Sequence, residues 1–171
     1  KNITGLINAY RLFKDMAPHL NYALVIGGVK GWMYSDIFEL IEKLSLMNDV
    51  IFLGYVQDKE LPILYNAAKL FVYPSLYEGF GLPVLEAMAC GIPVITSNTS
   101  SLPEIVADAG IMLDPLDINA LAKAMHNVLM DDSLRQSLIE KGLKRAENFS
   151  WEKTAAMTMD VYRKVLSESK G

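Results

Sequence analysis

Residues 70–96 read LFVYPSLYEGFGLPVLEAMACGIPVIT. The apolar run 70–73 stops at Pro74-Ser75, and a loop carrying Gly79 and Gly81 follows. Pro83 suits the first position of a helix, which continues to about Cys90 and is halted by Gly91. The apolar, β-branched run 93–96 comes next. Strand, loop, helix and strand in so short a space predict a parallel pair joined by a right-handed crossover. Towards the N-terminus the same alternation holds. Ile3, Leu6, Ile7, Tyr10 and Phe13 share a helix face ending near Pro18, and residues 22–26 form a strand closed by Gly27-Gly28. Ser35 or Asp36 caps a helix carrying Ile37, Leu40, Ile41 and Leu44, and residues 50–53 form a strand closed by Gly54. Asp58 caps a short helix to about Ala67, with Pro62 in its opening turn.

Towards the C-terminus, Ser101 and Glu104 read as a capping box for a one-turn helix, and residues 111–113 as a last strand. From Asp117 the pattern is helical only. Leu121, Ala124, Met125, Val128 and Leu129 share a face, and Ser133 and Ser150 cap two further helices. Trp151, Ala155, Met159, Tyr162 and Leu166 form an apolar stripe on the last, where packing is favoured over ligand stacking. The predicted fold is one α/β domain, residues 1–171, with an open, doubly wound parallel sheet and C-terminal helices. Such sheets bind ligands outside the carboxyl ends of their strands, here the loops after Ile26, Leu53, Tyr73 and Thr96.

Composition narrows the function. The chain has 171 residues, 51% apolar and 21% charged, with net charge −4 and scattered basic residues, which disfavours nucleic acid as a partner. Its single cysteine, Cys90, forms no internal disulfide and reads as buried packing. No apolar run is long enough for a membrane span, and no oxidising compartment is required, so the cytoplasm is the default. His19 and His126 lack partners for a triad or metal site, and no Asp-x-Asp occurs. No metal or other cofactor is expected. Gly27-Gly28-Val29-Lys30-Gly31 lacks dinucleotide-binding spacing and reads as a loop with a solvated Lys30.

The loop after Tyr73 has the composition of an anion site. Amides near Gly81, Leu82 and Val84 at a helix start would face a phosphate, and the glycines allow close approach. Glu78 precedes this site, and Glu86 is placed in the first helical turn. Each carboxylate offers two oxygens to paired hydroxyls. Both acids could instead merely favour the helix dipole.

EGFGLPVLE, with its Glu-x7-Glu spacing, resembles the signature of the family 4 (group 1) retaining glycosyltransferases of GT-B fold. The likeness extends to Lys1-Asn2, to residues 50–56, 87–95 and 101–104, and to Phe149-Ser150-Trp151. It implies the Rossmann-like C-terminal lobe of a hexosyltransferase, with a lean towards mannosyltransferases of polysaccharide synthesis. Glu78, the residue assigned to the catalytic centre, would contact hydroxyls of the transferred sugar. Gly79, Phe80, Gly81 and Leu82 would line sugar and diphosphate through their backbone. Glu86 would bind the ribose, Lys1 the diphosphate, and backbone around Val56 the base. The implied partners are a GDP- or UDP-linked sugar and a glycan or lipid acceptor bound by an N-terminal lobe. That lobe, with its histidine, and a central strand and arginine ahead of Lys1 are expected to belong to a longer protein. The expected location is the cytoplasm, peripheral association with the inner face of the membrane being the alternative for the full-length protein. A nucleotide-sugar-binding module without turnover and an epimerase are the rival readings. The segment alone is expected to be inactive, with part of the last helix's stripe exposed or covered by another copy.

Overall fold

The computed structural model describes residues 1–28 and 34–168. In chain order the elements are α1 (Ile3–Met16), β1 (Leu24–Gly27), α2 (Tyr34–Lys43), β2 (Val50–Gly54), α3 (Leu61–Ala67) and β3 (Phe71–Tyr73). They continue with α4 (Leu82–Ala89), β4 (Val94–Ser97), α5 (Leu102–Val106), β5 (Ile111–Leu113), α6 (Ile118–Met130), α7 (Asp132–Ala146) and α8 (Trp151–Glu168). Every strand pair is parallel, as the alternating pattern requires.

The strands fall into two hydrogen-bonded ladders, β1-β2 and β3-β4-β5, where one continuous sheet was expected. Among the described residues no hydrogen-bonded ladder joins the two, and the resemblance places a further strand at the sheet centre. Burial differs accordingly. All four residues of β4 are buried, Ile95 in a cluster with α1 and α6, Val94 in a second cluster with α4 and α5. Successive strand side chains point to opposite faces, so β4 is covered on both sides. In the other ladder only one face is covered: Val25, Ile51 and Leu53 are exposed.

The first cluster joins Ile7, Tyr10 and Phe13 of α1 to Leu121, Met125 and Val128 of α6. The second joins Val84, Ala87 and Met88 of α4 to Tyr65, Leu102 and Val106. Helix α4 also rests on α7, whose Gly142 lets the Met88 side chain approach closely.

Several local expectations shift. The α3 N-cap is Glu60, not Asp58, and α7 begins after Asp131, whose carboxylate accepts the Leu134 amide, so Ser133 is inside the helix. Helix α2 already begins at Tyr34, which leaves Ser35 and Asp36 in its first turn. Ser101 precedes α5 but makes no cap bond, so the Ser101–Glu104 box does not form. Ser150 does cap α8, accepting the Lys153 amide at 3.1 Å. Every residue of α8 is exposed, with Trp151 at 74% and Tyr162 at 59%, so the packing expected of these aromatics is absent. The expected exposure of the stripe is what occurs. Cys90 is half-buried, not buried.

Candidate functional site

The site is built at the carboxyl end of β3. Tyr73 is the last strand residue, and Pro74 and Ser75 are buried beneath the loop that leaves it. Lys1, just ahead of α1, reaches this end. Its Nζ lies 2.5 Å from Glu78 Oε1, donates to the Tyr73 hydroxyl, and stands 4.7 Å from the centre of the Tyr73 ring. The Glu78 side chain is 13% exposed against 56% for Lys1. Burial pushes the Glu78 carboxyl up, but hydrogen bonds from Lys1, Ser75 and Tyr73 together with the Lys1 charge outweigh it, holding the group below its ordinary value. Burial likewise opposes the Lys1 charge, and the bonds to Glu78 and Tyr73 raise it overall. The result is a neutralised pair at a strand end.

Gly81 turns the loop into α4 with φ 116°, a conformation L side chains resist, and a Cβ there would stand 2.7 Å from Leu102 Cδ2. Its carbonyl accepts the amides of Val84 and Leu85. The Val84 amide, expected to face an anion, is therefore turned into the helix. Glu86 also lies one turn further along α4 than expected. Its Oε2 accepts the Tyr65 hydroxyl at 3.1 Å, beside a groove of about 440 Å³ lined by Asp58, Leu61, Pro62, Tyr65 and Cys90. Asp58, expected as a cap, is thus a groove residue. Val56 stands half-buried just beyond β2, near Gly27. Between the two glutamates in sequence, the exposed Phe80 packs edge-on against Phe149, whose ring lies under the Arg145 guanidinium.

The sequence reading missed what holds the loop. Thr96 donates to the Tyr73 carbonyl at 2.9 Å, Ser97 to the Ser75 carbonyl, and Thr99 to the Leu76 carbonyl at 3.2 Å. Ser101 reaches the Phe80 carbonyl at 2.7 Å and the Glu78 carbonyl at 3.0 Å. Ser100 accepts the Glu78 amide at 3.0 Å. The signal was the run Thr96-Ser97-Asn98-Thr99-Ser100-Ser101, which leaves the strand beside β3 at the same end.

Val29, Lys30 and Gly31 of the glycine loop lie outside the described residues. His19 is exposed, and His126 sits half-buried on α6. Among the described residues no cluster of His, Cys, Asp and Glu could hold a metal ion, and no helix is long and apolar enough to cross a membrane.

Parallel strands, crossover helices and the Lys1–Glu78 pair at a strand end define the class: a doubly wound α/β domain with its candidate ligand site at the carboxyl ends of the strands. The chain belongs to the family described as glycosyl transferases group 1, whose pattern it matches over residues 1–145. It is 46% identical over 163 residues to O-antigen chain mannosyltransferase B of Escherichia coli, covering 95% of this chain and 42% of that protein. Among solved structures it resembles sucrose-phosphate synthase from Thermosynechococcus elongatus, with TM-score 0.80 and 32% identity, over 95% of this chain and 42% of that one. It also resembles the C-terminal domain of a group 1 glycosyl transferase, LpcC, from Francisella tularensis. There the TM-score is 0.76 and the identity 27%, over 86% of this chain and 78% of the other. The chain thus spans less than half the length of the E. coli relative.

Proposed function

We propose that residues 1–171 are the donor-binding lobe of a retaining mannosyltransferase that uses a GDP- or UDP-linked sugar. The observation that carries this reading is the pairing of Lys1 with Glu78 at the start of the loop that opens α4. A cation, a helix N-terminus and a shielded carboxylate side by side suit a ligand with an anionic diphosphate and a hydroxyl-rich sugar. The E. coli relative's name, a mannosyltransferase, supports mannose as the sugar.

In this reading Lys1 and the amides around Phe80, Gly81 and Leu82 hold the diphosphate, and Gly79 keeps the approach open. Glu78 accepts hydroxyls of the sugar and Glu86 those of the ribose, while the chain near Val56 borders the base. During transfer the bond from the anomeric carbon to the phosphate oxygen breaks, and the acceptor oxygen forms the new bond and passes its proton to an oxygen of the departing diphosphate. Negative charge builds on the departing diphosphate, where Lys1 and the helix dipole stabilise it. The acceptor, a glycan or lipid, is bound by a second lobe, and the whole protein works in the cytoplasm or at the inner membrane face.

The experiment is product analysis with the full-length protein and labelled GDP- and UDP-sugars. Transfer to an acceptor with retained anomeric configuration is expected. Release of an epimerised nucleotide sugar, or binding without any product, contradicts the proposal.

A further inference from the structure

The two carboxylates of the site share a support that neither the loop nor the helix provides. The Tyr73 hydroxyl accepts from Lys1, whose Nζ also pairs with Glu78 at 2.5 Å, while the Tyr65 hydroxyl donates to Glu86 at 3.1 Å. Phe71 lies between these tyrosines. Its ring stacks on Tyr73 at 5.8 Å, since residues two apart on a strand share a face, and meets Tyr65 edge-on at 5.4 Å. Offset-stacked and edge-to-face contacts at these separations are favourable arrangements for aromatic pairs. A continuous row therefore runs Glu78, Tyr73, Phe71, Tyr65, Glu86 along one side of β3. We infer that Tyr73 and Tyr65 are positioning residues, each fixing one carboxylate through its hydroxyl, with Phe71 as the common spacer that sets their separation.

The assignment of ligands to the carboxylates rests on the donor-lobe reading above, but the row itself does not. A carboxylate free to rotate loses the geometry needed to accept two hydroxyls at once, and a tyrosine has only two side-chain torsions to fix. Burial raises the pKa of both phenols, with the adjacent Glu86 adding to it at Tyr65, so both hydroxyls keep their protons across the neutral range and stay donors. Replacing either by Phe keeps the ring in the row and removes only the hydroxyl.

The test uses Tyr73→Phe, Tyr65→Phe and the parent chain, with GDP, UDP, GDP-mannose and UDP-glucose as probes. Tyr65→Phe is expected to weaken free nucleotide and nucleotide sugar alike by about tenfold, and Tyr73→Phe the nucleotide sugar only. Thermal unfolding of both should stay close to the parent's, which separates positioning from a general loss of structure. A parent chain that binds none of the probes counts against the donor-lobe reading alone. The row is then judged without ligand, from the carboxyl carbon shift of Glu78 across an acid titration. Tyr73→Phe should move that titration to higher pH. An unmoved Glu78 titration, or probe affinities within twofold of the parent in both variants, overturns the inference.

Discussion

At Glu78 the same contacts that suit sugar binding also set a pH dependence. Its folded value lies below the ordinary 4.5, because bonds from Lys1, Ser75 and Tyr73 outweigh burial. The stabilising contribution of the ionised group is therefore complete above the unfolded value and is lost as pH falls through the lower folded value. Nucleotide-sugar affinity should therefore hold through the range where an ordinary glutamate begins to protonate and decline only at lower pH. A decline already under way at pH 6 would mean a Glu78 carboxyl raised above its ordinary value, opposite to the direction its contacts dictate. The magnitude is small, since Lys1 is more than half exposed and its attraction is screened. Ser101 gives a second prediction at this scale. Its hydroxyl serves the carbonyls of Glu78 and Phe80, so Ser101→Ala should cost about 1 kcal/mol of stability and loosen the loop. Nucleotide-sugar affinity should fall several-fold, and Ser101→Thr should restore most of it, as read by calorimetry. The Glu-x7-Glu spacing of the candidate site was legible from the sequence. The hydroxyl run was not, because its partners are backbone groups some twenty residues away. Local spacing had offered Ser101 a capping role that the fold does not use.

Among the elements, the unit from β3 through α4 to β4 was the most legible. Pro and Gly punctuate it, and the apolar runs between them admit one parallel arrangement. Gly81 is the hinge of that unit. Gly81→Ala meets both the φ of 116° and the Leu102 side chain at 2.7 Å, and should destabilise by about 1–3 kcal/mol in denaturant unfolding. Adding Leu102→Ala should not relieve it, because the backbone conformation remains unfavourable and a new cavity is opened. Helix α8 marks the opposite limit of sequence reading. Period and capping gave its existence and the Ser150 cap, but amphipathicity tells which residues share a face, not what covers them. Trp151→Ala and Leu166→Ala in this chain should each change stability by less than about 0.5 kcal/mol, since both side chains are exposed. Met88→Ala, at a wholly buried position on α4, should cost about 2–5 kcal/mol in the same assay.

For the molecule as a whole, the two ladders are covered unequally. Helices close both sides of β4, whereas Val25, Ile51 and Leu53 and the apolar stripe of α8 meet solvent. Alternation of short apolar runs made the parallel α/β class readable, and it could not show that the pairing divides into two ladders. Every strand run looked equally apolar in sequence, so one-sided burial of β1 and β2 was invisible there. The site nevertheless sits where the fold class demands, at the carboxyl ends of the strands. Because the carboxylates grip only the donor in the proposed reading, this chain alone should transfer no sugar to any of a broad acceptor panel under conditions where the full-length protein does. Reaction needs donor and acceptor held together with water excluded. The most direct test of the donor site is calorimetry of this chain and its Glu78→Ala and Glu86→Ala variants against GDP, UDP and their mannose- or glucose-linked forms. The account predicts that Glu86→Ala weakens nucleotide and nucleotide sugar alike, by about 1–3 kcal/mol, while Glu78→Ala weakens only the sugar-bearing ligand. Equal losses for both ligand types in both variants would contradict it.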